Sequence, residues 1–127
     1  MAHSFDNTRN MELESASKSL AALGHETRLA IYRLLVQAGP PGVNAGLICE
    51  KLELAPATLS FHLAHLSRVG LIRGRQEGRF IFYVADYAAM SALLAYLTDN
   101  CCQGAQCRPK VSAAAAPIKR RRAASAG

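Results

Sequence analysis

The chain of 127 residues contains no tryptophan, few aromatic residues and no long apolar run. Its longest apolar stretches are far too short to cross a membrane, which argues against a transmembrane protein or a membrane partner. The first ten residues are polar and lack the apolar segment of a signal peptide. We therefore expect a cytoplasmic protein, whose four cysteines serve as thiols or metal ligands rather than as disulfides.

Acidic residues are absent after Asp99, and this decides how the net charge of +6 is interpreted. Six of the fifteen basic residues lie beyond that point, so residues 1–107 contain nine basic and nine acidic residues and are formally neutral. An excess of positive charge favours a polyanionic partner, but here all of the excess lies in the C-terminal tail. An argument for nucleic-acid binding must therefore rest on local clusters.

Composition divides the chain into three segments. Residues 1–10 are predicted to be a flexible arm, and residues 11–107 have enough hydrophobic residues for one compact domain. Residues 108–127 are rich in alanine and basic residues and are predicted to be a disordered basic tail. No internal repeat is present.

Periodicity predicts four helices, a β-hairpin and a last helix. The helices are predicted at residues 11–24, 26–38, 45–52, 56–69 and 87–100, and the hairpin strands at 71–75 and 79–84 with a connecting loop at 76–78. Asn44 and Asp86 are predicted N-caps, and Pro56 suits the first position of the fourth helix. Two short helices joined by a short turn and followed by a hairpin predict a mainly α winged helix-turn-helix fold.

The fourth helix has an inward stripe of Leu59, Leu63 and Leu66 and an opposite face suited to DNA. The residues predicted to contact double-stranded operator DNA, including hairpin arginines, are Ala57, Thr58, Ser60, Phe61, His62, His65, Arg68, Arg75 and Arg79. An outward phenylalanine could contact thymine methyls, and arginines could hold phosphate or enter a minor groove. The alternatives are a helix that binds a protein partner and an arginine cluster that forms a solvated turn.

Three stretches, in this order, resemble the ArsR/SmtB family of metal(loid)-responsive winged-helix repressors. Residues 22–29 contain the element Thr27-Arg28-Leu29 before an apolar helix, residues 57–63 resemble the recognition helix, and residues 70–83 resemble the wing. The match spans about residues 16–100. The resemblance implies a homodimeric repressor that leaves its operator when a metal or metalloid binds.

Apolar stripes on the first and last helices predict that the dimer forms through these two helices. The predicted interface residues are Leu13, Leu20 and Leu23 on the first helix and Tyr87, Met90, Leu94 and Leu97 on the last. Cys101 continues the second stripe, and two recognition helices would match a palindromic site. The alternative is that both stripes pack within one chain.

The two metal sites usual in the family lack their ligands here. The Cys-x-Cys positions of the third helix align with residues 44–46, which contain no cysteine, and no histidine follows His65 for the site on the last helix. Three cysteines lie instead within seven residues, Cys101, Cys102 and Cys107. They resemble an arsenic-responsive branch of the family, with adjacent cysteines after the last helix. The resemblance implies arsenite or methylarsenite as inducer.

The chemistry of sulfur agrees with a soft inducer at Cys101, Cys102 and Cys107. Trivalent arsenic or antimony takes two or three thiolates, and methylarsenite takes only two, so Cys107 would be accessory for it. Zinc would require a fourth ligand, and no further thiolate or imidazole lies nearby in the sequence. Incidental surface thiols are the alternative. Cys49 stands alone on an apolar helical face and is interpreted as a small buried hydrophobic residue.

Two other functions are compatible with cysteines in this segment. A redox switch would keep the fold and use thiols made acidic beside Arg108. Cys102 and Arg108 also have the Cys-x5-Arg spacing of low-molecular-weight phosphatases and related arsenate reductases. That chemistry needs a phosphate-binding loop between a strand and a helix. A helix precedes the cysteines here, and we therefore expect that the chain is not an enzyme.

Overall fold

Helices dominate residues 12–99, the part of the chain that the computed structural model describes. The elements in chain order are α1 (Leu13–Leu23), α2 (Glu26–Ala38), β1 (Val43–Asn44), α3 (Ala45–Leu52), α4 (Pro56–Arg68), β2 (Ile72–Glu77), β3 (Phe80–Ala85) and α5 (Tyr87–Thr98). This order confirms the predicted mainly α fold with a β-hairpin. The predicted arm and tail, residues 1–10 and 108–127, lie outside the described residues. Between residues 12 and 99, no helix has the length and apolar character needed to cross a membrane.

Side-chain caps account for the starts of three helices. Nδ1 of His25 accepts a hydrogen bond from the backbone N–H two residues on, at 3.2 Å, where α2 begins. Oδ1 of Asn44 and Oδ1 of Asp86 each accept from the backbone N–H three residues on, at 2.9 and 3.0 Å. Such bonds satisfy donors that have no partner inside the helix. The two caps predicted from the sequence are confirmed.

Strands β2 and β3 form an antiparallel hairpin whose turn differs from the prediction. Glu77 lies opposite Phe80, so the turn consists of Gly78 and Arg79 and not of residues 76–78. A two-residue hairpin turn of this kind places glycine at its first position, where φ is positive, and Gly78 has a φ of 65°. As a result, Arg79 lies at the tip of the wing.

The short strand β1 is an element that the sequence did not predict. It pairs antiparallel with β3, with Val43 opposite Tyr83, and the sheet order is β1-β3-β2. Gly42 makes the approach possible: its φ is 79°, and a Cβ there would lie 2.9 Å from both the carbonyl oxygen of Tyr83 and Cγ1 of Val84. The loop after α2 is therefore attached to the central strand of the wing.

The inward leucines of α4 lie in the hydrophobic core, as predicted. Leu59, Leu63 and Leu66 are buried. The core around them also contains Ile31, Leu35, Ile48, Leu71 and Ile72. Burial of one leucine stabilises a fold by about 1.5–3 kcal/mol. The packed side of α4 is thus firmly held, and its other side faces outward.

Candidate nucleic-acid interface

The turn between α3 and α4 sets the two helices of the helix-turn-helix. Helix α3 ends at Leu52, because Glu53 adopts a left-handed conformation with φ of 55°. The backbone N–H of Leu54 then bonds to the carbonyl of Cys49 at 3.0 Å. Pro56 begins α4, where its missing N–H has no cost. A turn of only three residues therefore brings α3 and α4 into the predicted motif.

The outward face of α4 is open along the helix. Exposed residues on it include Ala57, Thr58, Ser60, Phe61, Ala64 and Arg68. Phe61 is 64% exposed although the opposite side of the helix is well packed. A large apolar side chain held outward in this way suits contact with the methyl groups of thymine. The exposure agrees with the sequence analysis, and the contacts with DNA stay a prediction.

His62 corrects the predicted set of DNA-contacting residues. Its side chain is 6% exposed, and Nδ1 lies 3.2 Å from Nη1 of Arg28. The physical reason is the helical repeat, which places position 62 between Leu59 and Leu66 on the inward side. Arg28, which stands out in the sequence only as part of the Thr-Arg-Leu element, is a further functional candidate. Its long-range partner could not be read from local spacing.

His65 lies half-buried at the flank of the outward face. Partial burial, followed by the nearby Arg28, Arg68 and His25, lowers the pKa of His65 below its ordinary value of 6.5. The imidazole is therefore mainly neutral at pH 7. In that state it can offer a hydrogen bond to DNA but adds little positive charge.

Arg75 has all three of its guanidinium nitrogens bonded within the chain. Nε bonds to Glu77 at 2.6 Å, Nη1 donates to the carbonyl of Pro40 at 3.2 Å, and Nη2 donates to that of Pro41 at 2.8 Å. The guanidinium also lies 5.8 Å from the centre of the Phe82 ring. These contacts tie the wing to the loop after α2. The side chain was predicted to hold phosphate, but its contacts indicate a positioning role.

The other wing arginines have different surroundings. Arg73 forms an ion pair with Asp86 at 3.4 Å and remains largely exposed. Arg79 lies exposed at the turn and makes no ion pair or side-chain hydrogen bond with other described residues. Arg79 is therefore the wing arginine best placed to reach a phosphate or a minor groove.

The predicted dimer residues fall into two groups. Leu13, Leu20, Leu94 and Leu97 are exposed. Leu23 and Met90 are partly buried against the core of their own chain. The hydroxyl of Tyr87 donates to the carbonyl of Val36 at 3.1 Å, which ties the start of α5 to α2. Packing within one chain therefore accounts for Leu23 and Met90, whereas Tyr87 makes this one bond within its chain and remains 37% exposed.

Known proteins similar to this chain identify its class. A family model described as a helix-turn-helix domain matches residues 23–75. A solved ArsR-like transcriptional regulator from a Rhodococcus species is 27% identical, with a TM-score of 0.61, and the match covers 66% of this chain and 76% of that one. The transcriptional activator HlyU of Vibrio cholerae is 33% identical over 102 residues, which is 79% of this chain and 92% of HlyU. This chain belongs to the ArsR-like family of winged helix-turn-helix transcriptional regulators.

Solved structures support the placement in the ArsR-like family. The solved structure of HlyU has a TM-score of 0.57, and the match covers 73% of this chain and all of that one. A form of HlyU described as reduced is 30% identical with a TM-score of 0.55, and the match covers 78% of this chain and 99% of that one. A third solved structure is a homodimeric winged helix-turn-helix DNA-binding domain from Mycobacterium bovis, described as a possible ArsR-family regulator. It is 27% identical with a TM-score of 0.56, and the match covers 74% of this chain and 87% of that one. These relatives are named regulators, which agrees with the expectation that this ArsR-like chain is not an enzyme.

The predicted inducer site of this ArsR-like chain, Cys101, Cys102 and Cys107, lies outside the described residues. Cys49 lies within them as a free, half-buried thiol packed against the core, close to its predicted role. No three His, Cys, Asp or Glu side chains come together in residues 12–99 in a way that could hold a metal ion. The inducer site at the three C-terminal cysteines therefore stays a prediction.

Proposed function

We propose that this ArsR-like regulator is a cytoplasmic, homodimeric repressor that leaves its operator when trivalent arsenic binds Cys101, Cys102 and Cys107. The inducer is arsenite or methylarsenite, and antimonite is a related ligand with the same chemistry. One observation carries the proposal: three cysteines lie within seven residues, starting three positions after the end of α5.

DNA binding follows from the family and from the open face of α4, with Phe61 outward and Arg79 exposed at the tip of the wing. The direction of regulation is a separate matter, because the relative HlyU is named an activator. Repression is proposed here from the resemblance to the arsenic-responsive branch. In that arrangement a bound dimer blocks transcription until the inducer releases it.

The donor set suits a soft, thiophilic centre. Thiolates select soft ions, and trivalent arsenic binds two or three of them in a pyramid. Adjacent Cys101 and Cys102 supply the two thiolates that methylarsenite requires, and Cys107 supplies a third for arsenite. Zinc is a poorer match because its structural sites have four ligands.

Release from DNA requires that the inducer favour one arrangement of the dimer over another. The cysteines follow α5 closely in the sequence, and α5 carries two exposed leucines of the proposed dimer interface, Leu94 and Leu97. Drawing Cys101 and Cys102 around one arsenic atom would repack that end of α5. A small change in the angle between subunits would then prevent both recognition helices from reaching their half-sites together.

The decisive experiment is a titration of operator binding with candidate inducers. An operator duplex is selected from a random-sequence library, and release is followed by fluorescence anisotropy with arsenite, methylarsenite, antimonite, cadmium and zinc. We expect release by the trivalent arsenic and antimony species. The double variant Cys101→Ser, Cys102→Ser should bind the operator normally and lose the response, whereas Cys49→Ser should keep it. Unchanged release of the double variant by arsenite would exclude this site.

A redox switch on the same thiols is the second candidate, because HlyU has been solved in a form described as reduced. Peroxide would oxidise two thiols to a disulfide and would itself be reduced to water. Release of the operator by peroxide, reversed by a reductant, with no response to arsenite, would favour this candidate over the first.

A further inference from the structure

Arg28 connects three helices at the back of the recognition helix α4. It belongs to α2, and only 9% of it is exposed. Its Nε donates to the carbonyl oxygen of Ala22 near the end of α1 at 2.8 Å, and its Nη1 lies 3.2 Å from Nδ1 of His62 on α4. One side chain therefore links α4 to both α1 and α2.

The chemistry of the two side chains fixes the protonation of His62. A guanidinium is always charged and can only donate, so Nδ1 of His62 must accept, and the ring must be neutral with its proton on Nε2. A protonated ring would lose the acceptor and would place a second cation beside Arg28. Among residues 12–99, no carboxylate forms an ion pair with Arg28 that could relieve this repulsion.

The surroundings of His62 also favour the neutral ring. His25 and Arg28 face it from α2 and its cap, with the His25 ring centred 4.8 Å away, and His65 acts on it from α4. Burial, then these three basic groups, lower the pKa of His62 below the ordinary 6.5. The ring of His62 also contacts the exposed Phe61 edge-on, with centroids 5.3 Å apart. His62 thus packs beneath Phe61 on the inner side of the surface that α4 presents to DNA.

We propose that Arg28 and His62 are positioning residues for DNA binding, and that acid weakens operator binding by breaking the hydrogen bond between them. His62 does not touch DNA in this arrangement. It holds α4 at the angle that presents Phe61 and its neighbours. The proposal concerns DNA binding itself and does not depend on which inducer the regulator senses.

The sign of the pH dependence separates this role from a phosphate contact. An imidazole whose pKa is lowered by folding stabilises the fold above its ordinary pKa, and this contribution is lost as the pH falls through the lowered value. If the DNA-bound state needs neutral His62, binding in acid must expel a proton, and affinity falls. A histidine that contacts phosphate has the opposite sign, because its protonation adds attraction.

The test compares two substitutions of His62 in the full chain. His62→Asn keeps an acceptor near the place of Nδ1 but cannot be protonated. We expect it to bind the selected operator duplex within about twofold of the wild type at pH 8. It should also lose the weakening that we expect of the wild type as the pH falls below the ordinary histidine pKa of 6.5. His62→Leu keeps the volume but removes the acceptor, and should bind about tenfold more weakly at pH 8.

Controls make each outcome decisive. His65→Asn should still bind the operator more weakly in acid. The double variant Arg28→Met, His62→Leu should bind no more weakly than the weaker of the single variants Arg28→Met and His62→Leu, because the two residues act together. Thermal melts by circular dichroism show whether His62→Leu is folded at the assay temperature; if it is not, the pH profile of His62→Asn decides alone. The proposal is overturned if His62→Asn weakens in acid as the wild type does, or if folded His62→Leu binds normally at pH 8.

Discussion

At the scale of single residues, the wing arginines show that equal charge does not mean an equal role. The guanidinium of Arg75 forms hydrogen bonds with Glu77 and with two carbonyls of the loop after α2, whereas Arg79 has no such partner among the described residues. An exposed ion pair such as Arg75–Glu77 contributes only about 0–1 kcal/mol by itself. The two carbonyl bonds are what make Arg75 a connection between wing and body.

Paired substitutions of these arginines distinguish the two roles. Arg79→Gln should reduce the slope of log affinity against log salt concentration by about one, because one phosphate contact is lost. Arg75→Gln should leave that slope nearly unchanged while lowering both affinity and the melting temperature, because the wing is released from the loop. Operator titrations at several salt concentrations give the slopes. Equal slope changes for both variants would show that Arg75 holds phosphate as well.

At the scale of elements, most of the fold could be predicted because its signals are local. Apolar periodicity, the caps Asn44 and Asp86 and the proline at position 56 indicate helices that the structure contains. Strand β1 could not be predicted, since two residues have no period and its partner β3 lies far along the chain. The predicted position of the hairpin turn is wrong because Gly78 is compatible with both a two-residue and a three-residue loop. The pairing of Glu77 with Phe80, which only the folded chain shows, decides between them.

The candidate site was predictable to the same extent. Its outward face on α4 follows from the helical repeat, and the structure exposes Phe61 as expected. The inward place of His62 follows from the same repeat, although His62 was predicted to contact DNA. Its partner Arg28 lies on another helix, so only the folded chain shows that the two meet.

The attachment of β1 to the wing can be tested at Gly42. Gly42→Ala should destabilise the fold in two ways: a left-handed backbone costs about 1–2 kcal/mol for a residue with a Cβ, and the contacts at 2.9 Å add about 1–3 kcal/mol of overpacking. Gly78→Ala is the matched control, since its φ is also positive but nothing lies within 4 Å of the added Cβ. Urea unfolding measures both, and equal losses would contradict a tight approach at Gly42.

At the scale of the whole molecule, the proposed dimer would use exposed leucines on α1 and α5. Leu13 and Leu20 are exposed on α1, and Leu94 and Leu97 on α5. A relative from Mycobacterium bovis with the same fold is described as homodimeric. Two copies joined here would carry two recognition helices, and simultaneous binding of two half-sites raises affinity well above that of one.

The dimer interface can be tested by two leucines of nearly equal exposure. Leu20 on α1 is 43% exposed and belongs to the predicted interface, whereas Leu29 on α2 is 45% exposed and does not. Leu20→Glu should give monomers in sedimentation velocity and lose operator affinity by about 100-fold, because each subunit then binds one half-site alone. Leu29→Glu should remain dimeric and bind normally, since a charge at an exposed site outside an interface has little cost. If Leu20→Glu sediments as a dimer, or if Leu29→Glu is the variant that dissociates, the interface lies elsewhere on the surface.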